Sequence, residues 1–157
     1  RFDESIRYAE DLDMNYRLMK KAEGFISTDE GFYHYIRRSG SITDTDMTAG
    51  RASLYEITEK IIEDNSGNRN LVEKSIYRHT RILFATLSRL LSKDERVSGG
   101  EKISSVYSEK IFGEIKKYKK DIMKNRYLAA RYKIFTVVIA ISPELFVKVN
   151  RKIRQHG

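Results

Sequence analysis

Apolar residues return at helical intervals along most of this chain and alternate only briefly. From Arg7 to Ala22, Leu12, Tyr16, Met19 and Ala22 recur at steps of 4, 3 and 3, which predicts one apolar stripe on a helix. "GFISTDEGFYHYIRRSGSIT" follows. Phe25–Ser27 and Phe32–Ile36 read as short strands, with "TDEG" as the turn between them and "RRSGS" as the stop. From Thr43 the texture becomes helical. "TDTDMTAGRASLYEITEKIIEDN" starts on capping residues, carries Leu54, Ile57, Ile61 and Ile62 on its apolar face, and runs to about Asp64.

"NSGNRN" breaks that pattern. A second helix is predicted over Leu71–Lys93, with Leu71, Ile76, Leu83, Leu87 and Leu90 as core candidates. "DERVSGG" breaks it again. A third helix is predicted over Glu101–Asn125, with Ile103, Val106, Tyr107, Ile111, Ile115 and Tyr118 inward. The last stretch, Arg126–Gln155, reads as an apolar helix and a short amphipathic one hinged near Pro143. The fold class expected is mostly α: a short β hairpin after one helix, then a multi-helix bundle.

Composition supports this. The 157 residues hold 40% hydrophobic side chains and 17 aromatics, enough for a folded core. One proline and nine glycines are too few turn residues for a long antiparallel β fold. The absence of cysteine excludes a disulfide framework and any thiolate site. The opening "RFDESIRYAED" has no methionine and no apolar leader, and reads as a cut through a larger protein.

Charge changes the picture further. The net formal charge is +8, yet residues 1–65 carry −5 and residues 66–157 carry +13. A basic half is either a set of solvated helix faces or a surface that meets an anionic partner. The run "IFTVVIAI" falls short of the roughly 20 apolar residues that a membrane-spanning helix needs. Residues 116–157 nevertheless hold 12 basic and 2 acidic residues beside Phe135, Val138, Ile141, Leu145, Phe146 and Val149. That mixture suits in-plane contact with an anionic lipid surface, or simple packing on the other helices.

Three carboxylates, Glu10, Asp11 and Asp13, sit at the mouth of the first predicted helix. Their plainest role is to satisfy the helix dipole, with Asp13 pairing to Arg17 one turn later. "DLD" at 11–13 and "DTD" at 44–46 have the shape of a divalent-cation motif, but neither ends an apolar strand. Positions 11 and 13 also point to different sides of a helix. A carboxylate at a helix mouth that faces a pocket can instead act as general base for a sugar hydroxyl.

Taken together, Phe2-Asp3-Glu4, Glu10-Asp11, Tyr16, Tyr33-His34-Tyr35, Arg37-Arg38 and Ser39-Gly40-Ser41-Ile42 carry a resemblance. In order and spacing, Phe2 to Thr43 resembles the C-terminal part of a bacterial family 2 glycosyltransferase catalytic domain of the GT-A fold. The helices beyond resemble, more loosely, the C-terminal extensions of capsule and cell-wall members. The resemblance divides the chain into 1–43, the acceptor side of a GT-A domain, and 44–157, a helical extension.

The resemblance implies roles. Asp11 would be the catalytic base, with Glu10 beside it. Arg37, Arg38 and Ser41 would lie near the donor diphosphate, where guanidinium groups match phosphate geometry; an exposed basic turn is the alternative. His34 is read as a packed strand residue, and no residue here is assigned to a metal. A divalent cation, Mg or Mn, is implied for the full-length enzyme, with ligands mostly outside this stretch. So are a nucleotide-sugar donor and a saccharide or lipid-linked acceptor of surface polysaccharide synthesis.

The donor-binding half would precede Arg1, so this stretch alone is not expected to turn over. A cytoplasmic location is implied, peripheral at the inner face of the cell membrane through 126–157. A homodimer through the helical extension and no nucleic-acid partner complete that reading. The rival is a non-enzymatic basic helical module that binds nucleic acid or an anionic membrane surface, although its basic residues spread over several helices.

Overall fold

The protein is mostly α. The computed structural model describes residues 1–6, 9–32, 34, 36, 50–94 and 103–155, and gives the backbone alone at 50–53, 92–94, 103–106 and 154–155. Among them are seven helices: α1 (Glu10–Lys21), α2 (Gly50–Asp64), α3 (Arg69–Asp94), α4 (Ile103–Lys117), α5 (Lys119–Lys124), α6 (Ala130–Ile141) and α7 (Pro143–Gln155). The chain divides into two compact units, Arg1–Ile57 and Thr58–Gly157. The division expected at 43/44 lies outside the described residues.

In the first unit, α1 is preceded by Ala9, which has a φ of 61° and no side chain that could cap the helix. Glu10, Asp11 and Asp13 in the first turn and Lys20 and Lys21 in the last suit the helix dipole. The apolar stripe is buried only at its start. Leu12 and Tyr16 are half-buried, whereas Met19 and Ala22 are exposed. The buried residue is Asp13, whose Oδ2 accepts a 2.7 Å hydrogen bond from Arg17 Nε. Arg17 also donates to the carbonyl of Arg1 at 3.1 Å, which ties the chain start to the helix.

The expected hairpin is not seen among the described residues. Residues 25–28, 32, 34 and 36 belong to no strand, and Phe25, Ile26, Phe32 and Ile36 are 69–97% exposed. The physical reason is burial: two short strands without a third strand or a helix to cover their apolar face are marginal in water. Tyr33, Tyr35 and everything from Arg37 to Ala49 lie outside the described residues.

The second unit has the core. Leu83, Leu87, Ile111, Ile115, Ile122 and Ile139 are fully buried, with Ile76, Leu90, Leu128 and Phe146 nearly so. Packing pairs α3 with α4, α4 with α6, and α6 with α7, while α5 lies against α3, α4 and α6. Leu71, expected inside, is exposed in the first turn of α3. There Asn68 Oδ1 caps the helix by accepting the N–H groups of Asn70 and Leu71.

Two boundaries depart from the periodicity. The third predicted helix bends at Tyr118, with φ −89° and ψ 9°, and so splits into α4 and α5. The next helix starts at Ala130 and not at Arg126. Asn125 is the cause. Its side chain is buried, donates to the Glu73 carbonyl at 2.7 Å and accepts the Tyr127 N–H at 2.9 Å. The hinge near Pro143 is as the pattern predicts: Ser142 is extended, its Oγ accepts the Leu145 N–H, and Pro143 opens α7.

Candidate functional site

The helix mouth of α1 separates its three carboxylates. Asp13 is buried and committed to Arg17. Glu10 is half-buried, and Asp11 is exposed, with Oδ1 accepting the Leu12 N–H at 2.7 Å. One oxygen of Asp11 is thus held by backbone while the side chain stays open to solvent. Arg37, Arg38 and Ser41 lie outside the described residues. His34 is exposed and belongs to no strand, which departs from a packed strand residue.

No group of three or more His, Asp or Glu that could hold a metal ion occurs among the described residues. Asp11 and Asp13 do not converge either, since one faces solvent and the other pairs with Arg17. Asp11 and Asp13 therefore form no cation site here, and the ligands of the implied Mg or Mn are expected outside this stretch.

A second set of polar side chains was not singled out by sequence reasoning. His79 on α3 is fully buried, and its Nδ1 lies 2.7 Å from Thr58 Oγ1 on α2. Its Nε2 lies 3.9 Å from Glu114 Oε2 on α4, too far for a hydrogen bond, and both atoms are buried without a partner. The edge of one ring meets the face of the other where His79 packs on Tyr118, with centroids 5.1 Å apart. Below them Glu59 Oε1 accepts hydrogen bonds from Lys117 Nζ and, at 3.3 Å, from Tyr118 OH.

The electrostatics follow from this packing. Burial pushes the His79 pKa down to about 4, with the Glu59 carboxylate opposing and the Lys117 ammonium adding to the shift. His79 is therefore neutral at pH 7. Burial raises the Glu114 carboxyl, and the Glu59 charge raises it further. Burial also acts to raise Glu59, but Lys117 and Tyr118 outweigh it and hold that carboxyl below its ordinary range. The Tyr118 hydroxyl is pushed up to about 12, by burial first and then by Glu59.

His79 has no exposed surface, so it is the inner end of a polar network whose outer end is the exposed Lys117. The signal that could have found it is register. His79 lies three residues after Ile76 and four before Leu83, on the buried face of α3. Glu114 lies three residues after Ile111 and four before Tyr118, on the buried face of α4.

The chain matches no protein-family model, no curated protein and no solved structure.

Proposed function

We propose that this chain is the acceptor-side end of an inverting family 2 glycosyltransferase, joined to a helical extension that works at an anionic lipid surface. The resemblance of Phe2–Thr43 supports the reading. The observation that carries it is the division of labour at α1: Asp13 is occupied by Arg17, while Asp11 at the helix mouth is exposed.

In this reading Asp11 takes the proton from an acceptor hydroxyl. The hydroxyl oxygen forms a bond to the anomeric carbon as the bond from that carbon to the nucleoside diphosphate breaks. Attack from the opposite face inverts the configuration. One positioned carboxylate is sufficient for one proton. Glu10 neighbours the base, and Arg37, Arg38 and Ser41 would hold the departing diphosphate. The sugar acceptor is saccharide or lipid-linked.

The test is Asp11→Asn in the complete enzyme of which this chain would be part. Transfer should fall by at least about a hundredfold while donor affinity stays within twofold. Turnover within a few fold of the native enzyme would end the assignment of Asp11, and a collapse with Glu10→Gln alone would move the role to Glu10.

The membrane part of the reading has its own support. Ile134, Ile141, Leu145 and Ile153 on α6 and α7 are 45–74% exposed, in a region that also carries Lys133, Lys148, Arg151 and Lys152. No helix among the described residues is long and apolar enough to cross a membrane.

A further inference from the structure

A groove of about 320 Å³ opens in the second unit between α3, α6 and α7. Each helix contributes residues one turn apart: Arg81, Ala85 and Ser88 from α3, Arg131 and Phe135 from α6, and Phe146 and Asn150 from α7. Its volume is at the lower end of the range for small-ligand pockets.

The floor is apolar and held rigidly. Phe84 meets Tyr132 at 5.4 Å and Phe146 at 6.2 Å edge-on, and Phe135 meets Phe146 at 5.4 Å. Phe84 and Phe146 are buried, whereas Tyr132 and Phe135 are half-buried and form the walls. A floor fixed by edge-to-face contacts is formed before any ligand arrives.

The rim is cationic. Arg81 Nη1 donates to Tyr77 OH at 2.9 Å, which raises the pKa of the guanidinium. Arg131 lies over the Tyr132 ring, 5.1 Å from its centroid. Tyr77 thus holds one guanidinium by its hydroxyl, and Tyr132 carries the other over its face. Each Arg has five N–H donors, so Arg81 keeps donors for a ligand. Among the described residues, no acidic residue lines the groove.

We propose that this groove binds the head of a phosphorylated lipid: a phosphate monoester at Arg81 and Arg131, with the start of its apolar tail over Phe84 and Phe135. Two guanidinium groups complement the charge of about −1.5 to −2 that a phosphate monoester carries at neutral pH, which a carboxylate does not match. The apolar floor separates such a ligand from free phosphate. The proposal concerns this unit's own residues and stands apart from the role of Asp11.

The experiment is calorimetric titration of the 157-residue chain with dodecyl phosphate below its aggregation threshold. Inorganic phosphate, dodecanoate and dodecyl maltoside serve as the comparison arms. Dodecyl phosphate should bind one to one, at least about tenfold tighter than any of the other three. The exposed pair Arg81→Gln/Arg131→Gln should weaken it by at least about tenfold with an unchanged circular dichroism spectrum. Ala85→Glu, which puts a carboxylate on the exposed wall, should do the same.

Three results would overturn the proposal. They are equal binding of dodecyl phosphate by the native chain and the double variant, inorganic phosphate binding as tightly as the amphiphile, and dodecanoate or dodecyl maltoside binding as tightly as dodecyl phosphate.

Discussion

His79 shows how a single buried ring couples the second unit to pH. An unfolded chain protonates this histidine near 6.5, while the folded one resists until about 4. Between those values the unfolded state binds the extra proton, so stability rises with pH across the window and is lost as pH falls through it. The full shift corresponds to about 3 kcal/mol. Glu114 acts in the opposite direction, since its raised pKa makes ionisation costly in the folded state and acid relieves that cost. A loss of stability from pH 6.5 to 4 is expected, to which His79 contributes at most about 3 kcal/mol, read from urea midpoints at each pH. His79→Asn should flatten that dependence; an unchanged slope would show that other groups set it. Asp11 and His79 also show what sequence makes legible at this scale. Asp11 stands out in the sequence because Glu10 and Asp13, the residues it is read with, lie within two positions of it. His79 was hidden because its partners, Thr58 and Glu114, lie 21 and 35 positions away along the chain.

At the scale of elements, local pattern found most helices and misplaced the ends that distant residues determine. The hinge at Ser142–Pro143 was readable because its signals are adjacent in sequence. The break at 125–129 was not, because Asn125 is held by Glu73, 52 positions earlier. Arg126 adds to the same joint, with its N–H on Glu73 Oε1 at 2.9 Å and its guanidinium 3.3 Å from Oε2. Removing the buried amide leaves the Tyr127 N–H and the Glu73 carbonyl without those partners. Asn125→Ala should therefore cost about 2–3 kcal/mol, whereas Ser142→Ala, at a more exposed cap, should cost about 1 kcal/mol. Chemical denaturation with an unchanged m-value would verify both, and equal costs would contradict the ranking. The expected hairpin is not seen among the described residues, for a related reason. Alternation in Phe32–Ile36 marks residues able to form a strand, but forming one depends on a covering surface that the residues themselves do not encode.

On the scale of the whole molecule, the uneven charge has a structural counterpart in the second unit. The apolar residues Ile134, Ile141, Leu145 and Ile153 stay exposed, while Leu128, Thr136, Ile139 and Phe146 from the same region enter the core. Deleting 126–157 would thus remove core together with surface, and surface substitutions are the cleaner probe. The native chain should co-sediment with vesicles containing phosphatidylserine and not with purely zwitterionic ones, and salt should weaken the association. Ile134→Glu/Ile141→Glu should lower the partition by about tenfold or more, since it removes two apolar contacts and adds two repelled charges. Undiminished sedimentation of that variant would exclude this face as the lipid contact. Steep, salt-dependent retention of RNA or duplex DNA in a filter assay would instead favour the rival basic module.

The Phe84 ring meets Tyr132 and Phe146 edge-on and lies tilted against Phe135 at 6.3 Å, so side chains from two other helices enclose it. A ring flanked in this way makes a half-turn only when those neighbours briefly move apart. The rate of that flip keeps time for the breathing of α3 against α6 and α7, and it is legible in whether the two ortho protons give one averaged resonance or two.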